Sequence, residues 1–171
     1  MKKAYILDST AFYADIPFNS TITYFTTPNV IEEVFHGTIR KTSIESYIEI
    51  GRLKIITPSS ENIRNVRNSS VKTGDILKLS KTDITVLALA LQFKKDKFDV
   101  SVVSDDFMVE NSTIVLGMKI VPVMTQGISK VINWKTYCIG CGKVFIKKNL
   151  KSCDICGTKL KQKFNYGKNP I

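Results

Sequence analysis

Cysteine is missing from the first 137 residues of this 171-residue chain, and the four that exist fall between positions 138 and 156. That distribution excludes a fold stapled by scattered disulfides and fits a reducing compartment, so a cytoplasmic location is expected. Histidine occurs once, at His36; a lone histidine on a helix is a surface or packing residue and is assigned no role. Long apolar runs are also lacking. The longest, 84–93 with Thr85 and Gln92 inside it, is far too short to span a bilayer. At the N-terminus Lys2-Lys3 is followed only by Ala-Tyr-Ile-Leu before Asp8, which does not read as a signal peptide. No membrane partner is expected. Acidic residues nearly vanish from the end: 127–171 holds 10 Lys and one acid, Asp154, whereas 1–126 holds 15 Lys/Arg against 14 Asp/Glu.

The cysteines that are present form Cys138-Ile-Gly-Cys141 and, after eleven residues, Cys153-Asp-Ile-Cys156. Two such knuckles supply the four soft ligands of one tetrahedral structural zinc. Two disulfides or four unrelated thiols are the alternatives, and neither explains the clustering. Gly142 and Gly157 follow the second cysteine of each pair, where a positive φ frees backbone N–H groups to point at sulfur. The short interval predicts a compact zinc ribbon of two small hairpins.

The net charge of +10 therefore sits almost wholly on the ribbon and its flanks. A small basic unit attracts polyanions through phosphate neutralisation and counterion release. Trp134, Tyr137, Phe145, Phe164 and Tyr166 lie among the lysines, where aromatic rings can stack on unpaired bases. The plainer reading makes Tyr137 and Phe145 the ribbon's small core and the lysines solubilising.

Upstream, strand and helix signals alternate. Strands are expected at 3–7, 22–25, 53–56, 99–103 and 118–123, and helices from Pro28, from Ser60 to about 71, over 84–93 and over 106–116. Leu79-Ser80-Lys81-Thr82-Asp83 has capping-box character. Such alternation predicts an α/β fold, a parallel sheet covered by helices on both faces, followed by the ribbon. The expected division is 1–126 for the α/β domain, 127–136 for a linker, 137–163 for the ribbon and 164–171 for a basic flexible tail.

Four carboxylates fall where a parallel sheet gathers ligands, beyond the carboxyl ends of its strands. Asp8 ends the first strand, and Asp106, with Asp105 beside it, follows the strand at 99–103. Glu33 and Asp83 lie in early turns of two helices. Carboxylates converging in one cleft repel each other unless a hard cation joins them, which marks a candidate Mg²⁺ or Mn²⁺ centre for phosphodiester hydrolysis. Singly, Asp83 reads equally as a helix cap, Glu33 as a solvated partner of Arg40 or Lys41, and Asp105-Asp106 as a helix N-terminus.

Asp8-Ser9-Thr10-Ala11-Phe12, Val30-Ile31-Glu32-Glu33-Val34, Leu79 to Asp83 with the apolar helix behind it, and Ser104-Asp105-Asp106-Phe107 resemble, in order, the motifs of PIN-domain ribonucleases. With the four-cysteine ribbon, Lys72-Thr73-Gly74-Asp75 and Asp106 to Asn111, the chain is similar to the Nin-one-binding endonuclease family, in its compact archaeal form. Glu110 departs from the glutamine common there. The resemblance implies a metal-dependent endoribonuclease that trims the 3′ end of small-subunit ribosomal RNA within a pre-ribosomal particle, in company with assembly factors. It implies that Asp8, Glu33, Asp83 and Asp106, rather than Asp105, hold one or two Mn²⁺ or Mg²⁺ ions. Ser104 and Thr10 would support them, with Asp105 auxiliary. Lys143, Lys147, Lys148, Lys151, Lys159, Lys161 and Lys163 would position the RNA. A non-catalytic RNA-binding assembly factor and a toxin-like PIN nuclease are the alternatives.

Overall fold

The computed structural model describes residues 2–13, 22–36, 41–73, 78–125, 127, 130–145 and 150–170. Five short strands, β1 (Lys3–Leu7), β2 (Tyr24–Thr26), β3 (Leu53–Ile55), β4 (Asp99–Val103) and β5 (Lys119–Val121), pair in parallel in the order β3-β2-β1-β4-β5. Six helices flank this sheet: α1 (Ser9–Tyr13), α2 (Pro28–His36), α3 (Lys41–Glu49), α4 (Ser60–Thr73), α5 (Lys81–Lys95) and α6 (Phe107–Val115). From β1 the chain builds outward to β3, then returns to the other side of β1 for β4 and β5. Loops leaving β1 and β4 therefore part in opposite directions, which opens a crevice at their carboxyl ends.

The core explains why α5 is apolar nearly all round. Ile84, Val86 through Ala90 and Phe93 are buried, because α5 meets β1 and β4 while α4 and α6 cover its other sides. The Phe93 ring lies 4.5 Å from Phe25 and 5.1 Å from Phe98, tying the helix to β2 and to the residue just before β4. Burying one such ring stabilises the fold by roughly 1.5–3 kcal/mol. Two helices had no clear sequence signal. α1 starts directly behind Asp8 and is one short turn; α3 buries only Ile44 outright. Among the described residues, no helix is long and apolar enough to cross a membrane.

A second, antiparallel sheet follows, with β7 (Val144–Phe145), β6 (Lys130–Cys138) and β8 (Leu160–Pro170) in the order β7-β6-β8. Here the structure departs from the expected linker and tail. Residues 130–136 are the first strand of this sheet, and 164–170 pair with them in the register Lys135↔Lys163 and Trp134↔Phe164. Neither stretch carries a strand signal by itself, and each becomes a strand by pairing with the other, some thirty positions away. Cys138, Cys153 and Phe145, with Leu160 packed on them, form a small separate core.

Candidate active site

Asp8 is the centre of the crevice. Its backbone N–H donates to Val103 O at 3.1 Å, extending the β1–β4 ladder by one step, so the side chain emerges where the two strands part. Asp8 is only 1% exposed. Ser104 Oγ donates to Asp8 Oδ2 at 2.7 Å, and Thr10 Oγ1 donates to the same oxygen at 3.3 Å. Each hydroxyl accepts a backbone N–H in turn: Ser104 Oγ from Asp106 at 3.0 Å, and Thr10 Oγ1 from Asp105 at 3.0 Å. The Ser104 proton is thereby aimed at Oδ2, while Thr10 Oγ1, also 3.3 Å from Ser104 Oγ, can give its one proton to Asp8 directly or to the hydroxyl that holds it. Asp8 Oδ1 is buried with no hydrogen-bond partner. A buried carboxylate oxygen left bare is costly without a cation, so this atom fits a metal ligand.

The other acids gather round it. Asp106 caps α6, its Oδ1 accepting from the N–H groups of Met108 and Val109 at 2.7 and 3.1 Å. Asp83 is the third residue of a full capping box on α5: Ser80 N–H donates to Asp83 Oδ2 at 2.7 Å, and Asp83 N–H donates to Ser80 Oγ at 3.1 Å. Capping and clustering thus coexist, since each aspartate uses one oxygen on its helix. Glu33 is exposed on α2. Burial pushes the Asp8 carboxyl from 3.8 up to about 6, opposed by the Ser104 hydrogen bond and helped by repulsion from Asp83 and Asp106. Asp83 is raised as well, first by burial and then by Asp106 and Glu33, against its bonds from Ser80. Asp8 therefore lies in the field of Asp83 and Asp106, and Asp83 in that of Asp106 and Glu33.

A contact that sequence reasoning missed sets α2 against α5. Thr85 Oγ1 donates to Thr82 O at 2.7 Å, so in the 3.0 Å contact between the Thr27 and Thr85 hydroxyls it is Thr27 that donates. Both side chains are buried, at the feet of the helices carrying Glu33 and Asp83. Thr27 had been visible only as a helix-start signal.

Asp105 is not brought into the cluster. Its carboxylate accepts from the N–H groups of Val123, Met124 and Thr125 and from Thr125 Oγ1, all within 3.1 Å. These bonds outweigh its partial burial and hold its carboxyl below the usual range. An auxiliary role toward a cofactor does not survive that geometry, because both oxygens are committed to the loop after β5.

The cysteines form the second centre. Among the described residues they are the only set of three or more His, Cys, Asp or Glu ligand atoms lying within 4.8 Å of one another. Cys138 Sγ lies 3.3 Å from Cys156 Sγ and Cys141 Sγ 3.6 Å from Cys153 Sγ, too far for disulfides. A tetrahedral zinc with bonds of about 2.3 Å spaces its sulfurs only slightly wider. Gly140 and Cys141 N–H groups donate to Cys138 Sγ, and Ile155 N–H to Cys153 Sγ, at 3.3 to 3.4 Å. The two knuckles are near copies. Cys138 N–H donates to Lys143 O and Cys153 N–H to Thr158 O, both at 2.9 Å, with Gly142 and Gly157 at φ 74° and 69°.

The lysines divide. Lys143 is paired with Asp154 at 3.2 Å, while Lys151, Lys159, Lys161 and Lys163 are exposed; Lys147 and Lys148 lie outside the described residues. Opposed residues of an antiparallel pair share a face. Tyr137, Lys161, Lys135 and Lys163 therefore line one face of β6 and β8, with Lys163 Nζ 4.9 Å from the Tyr137 ring centroid. Lys135 and Tyr137 complete a basic, aromatic surface that only the register reveals. Phe145 is core, as the plainer reading had it. Trp134 lies on the opposite face of β6, under the ammonium of Lys78 at the foot of α5.

Comparison with known proteins agrees with this arrangement. The PIN domain of ribonuclease matches residues 5–93. Endoribonuclease Nob1 of Pyrococcus abyssi is 38% identical over 162 residues, which is 94% of either chain. Ribonuclease VapC1 of Thermoplasma acidophilum is 34% identical over 137 residues, 79% of this chain and 68% of its own. The 20S-pre-rRNA D-site endonuclease NOB1 of Saccharomyces cerevisiae is 33% identical over 76 residues, 44% of this chain and 16% of its own. A parallel sheet with carboxylates at its switch point, a four-cysteine cluster and these likenesses end to end mean that the chain belongs to the PIN-domain ribonucleases, and among them to the Nob1 endoribonucleases.

Proposed function

We propose that this chain is a divalent-metal-dependent endoribonuclease cleaving single-stranded pre-rRNA at the 3′ end of small-subunit ribosomal RNA during ribosome biogenesis. The observation that carries the chemistry is the bare, buried Oδ1 of Asp8, whose carboxyl, like that of Asp83, is raised first by burial and then by acidic neighbours. Asp8, Asp83, Asp106 and Glu33 would hold one or two Mn²⁺ or Mg²⁺ ions, and the cysteines one zinc. A bound divalent ion supplies activation of water and charge neutralisation on the phosphate. Ser104 and Thr10 hold Asp8 in one orientation and keep its Oδ2 occupied, which presents Oδ1 to the ion. The ribbon's basic face holds the RNA backbone against the repulsion of the acidic crevice, and Tyr137 offers a base a stacking surface.

The substrate reading rests on the Nob1 relatives, one of which is named for a pre-rRNA site. A pre-ribosomal particle and its assembly factors would then be the partners, in the cytoplasm where thiolates stay reduced. The likeness to Ribonuclease VapC1 keeps a ribonuclease of other RNAs as the second reading. The test is a cleavage assay on a short RNA spanning the 3′ end of small-subunit rRNA from the same organism. It runs with Mn²⁺, Mg²⁺ or EDTA, wild type beside Asp8→Asn. One metal-dependent cut at the mature end, lost in the variant, is expected. Scattered cuts favour the second reading, and binding with no cut in any metal overturns the enzyme.

A further inference from the structure

Asp105 stands between two residues of the acidic site, yet its side chain points its bonds elsewhere. Oδ1 accepts from Val123 N at 2.9 Å, Thr125 N at 3.1 Å and Thr125 Oγ1 at 2.9 Å, and Oδ2 accepts from Met124 N at 2.9 Å. Thr125 Oγ1 in turn accepts from Gly127 N at 3.2 Å. These residues are the segment by which the chain leaves β5 on its way to β6. Gly127 completes the turn at φ 68°, and a Cβ there would stand 3.3 Å from Pro122 Cγ, so the exit path folds back on its own start. The main chain of Asp105 faces the other way. Its N–H donates to Thr10 Oγ1, a hydroxyl 3.3 Å from both Asp8 Oδ2 and the Ser104 Oγ that holds it. One residue thus holds the exit of the nuclease fold with its side chain and the support of Asp8 with its backbone.

We infer that Asp105 is a positioning residue, a clamp that fixes the direction in which the chain leaves the nuclease fold and hence where RNA held on the ribbon meets the acidic crevice. The part concerning RNA rests on the function proposed above; the clamp itself does not. An anionic acceptor is suited to this task. Three backbone N–H groups converge on it, and charge-assisted bonds are about twice as strong as neutral ones. β6 is also anchored where Trp134 meets Lys78 and where it packs on α4 and α6; without Asp105 the ribbon would pivot on those contacts, and ribbon-bound RNA would be presented to the crevice over a wider range of positions. That lowers the effective concentration of the scissile strand at the metal site without touching the site.

The test uses the full chain in two measurements. Residual dipolar couplings from the five-stranded and three-stranded sheets should fit one alignment tensor in the wild type. They should need two in Asp105→Ala and, less markedly, in Thr125→Val, which removes the hydroxyl's bond to Asp105 and the one it accepts from Gly127. Asp105→Asn, which keeps one acceptor oxygen, should fall between. Mn²⁺ titrations should give the wild-type midpoint in all three. On an RNA long enough to reach both ribbon and crevice, Thr125→Val should raise KM with kcat unchanged, and Asp105→Ala should raise KM about tenfold. A single tensor in both Asp105→Ala and Thr125→Val overturns the clamp. So does a Mn²⁺ midpoint that collapses in Asp105→Ala as it does in Asp8→Asn, for Asp105 would then be a ligand. If the wild type cuts no RNA, the proposed function fails while the couplings still decide the clamp.

Discussion

The acidic crevice and the cysteine knuckles both gather like charges for a cation, and they are assembled in opposite ways. The knuckles draw four sulfurs from one 19-residue stretch, their atoms already within 4.8 Å of each other and solvated by backbone N–H groups. The crevice draws four carboxylates from segments as far apart as residues 8 and 106, and these do not converge as tightly. The sulfurs of Cys138 and Cys153 accept backbone N–H groups of their own turns, which offsets like charge, so the four can pack together beforehand. Carboxylates near neutral pH cannot, and the fold keeps them apart by giving Asp83 and Asp106 helix ends to cap. A closed soft site belongs to structure, and an open hard site to chemistry.

The largest effect that sharpens this contrast is removal of the ribbon's metal. Structural zinc contributes on the order of 10 kcal/mol to small metallo-domains. Chelation, or Cys138→Ser, should therefore unfold β6, β7 and β8 while the five-stranded sheet persists. The check is loss of amide-exchange protection in the second sheet alone. Equal loss in β1 and β4 would show that the two sheets fold as one unit, and the comparison would break.

Next in size is Asp8→Asn. Cleavage should fall more than about 100-fold, beyond the loss usual for residues that only support a ligand. Stability should move the other way. A carboxyl whose pKa rises on folding, from 3.8 to about 6, releases its proton more readily when unfolded. Its ionisation therefore disfavours the fold: the penalty is absent below the unfolded value, grows as pH rises through the interval, and is complete above the folded value. It amounts to about 3 kcal/mol at pH 7. In EDTA at pH 7 the variant should be more stable to urea than the wild type, with the gap closing below pH 4, and Mn²⁺ should stabilise only the wild type. Ser104→Ala comes third, costing about 10- to 100-fold in Mn²⁺ affinity. Thr10→Val, which loses the longer 3.3 Å bond, should cost less in the same titration.

How much of this was legible in sequence follows the same division. The four-cysteine cluster was plain because it is contiguous, and spacing is all a knuckle needs. Asp8 and Asp106 were plain because each ends a strand whose apolar run is evident. The motif resemblance favours Asp106 over Asp105 and leaves Asp105 auxiliary, but nothing in Ser104-Asp105-Asp106 says that Asp105 turns to the loop after β5; that depends on where 123–125 return. Residues 130–136 of β6 and 164–170 of β8 read locally as linker and tail, because neither has a long apolar stretch. Each is a strand only through the other, and lysines at alternate positions suppress the signal. The register that aligns Lys135 with Lys163 is a long-range fact no local window holds.

The smallest test asks how alike the two knuckles are. They share spacing, turn bonds and a glycine at positive φ, but differ at the third position, Gly140 in one and Ile155 in the other. Ile155 is 66% exposed, so its side chain leaves the cluster altogether. A Cβ on Gly140 would meet Thr158 Oγ1 at 2.7 Å and Cys156 Sγ at 3.4 Å, so the first knuckle presses its backbone against the second. Gly140→Ala must move Thr158, whose hydroxyl draws the Cys156 thiol down to about 6. The expected cost is about 1 kcal/mol in zinc affinity, read by competition with a chelator. Ile155→Ala at the matching position should change it by less than about 0.5 kcal/mol. Equal effects at both positions would mean that the knuckles act as true copies; unequal ones would show that the closed site is asymmetric, with one knuckle packed and the other left to face outward.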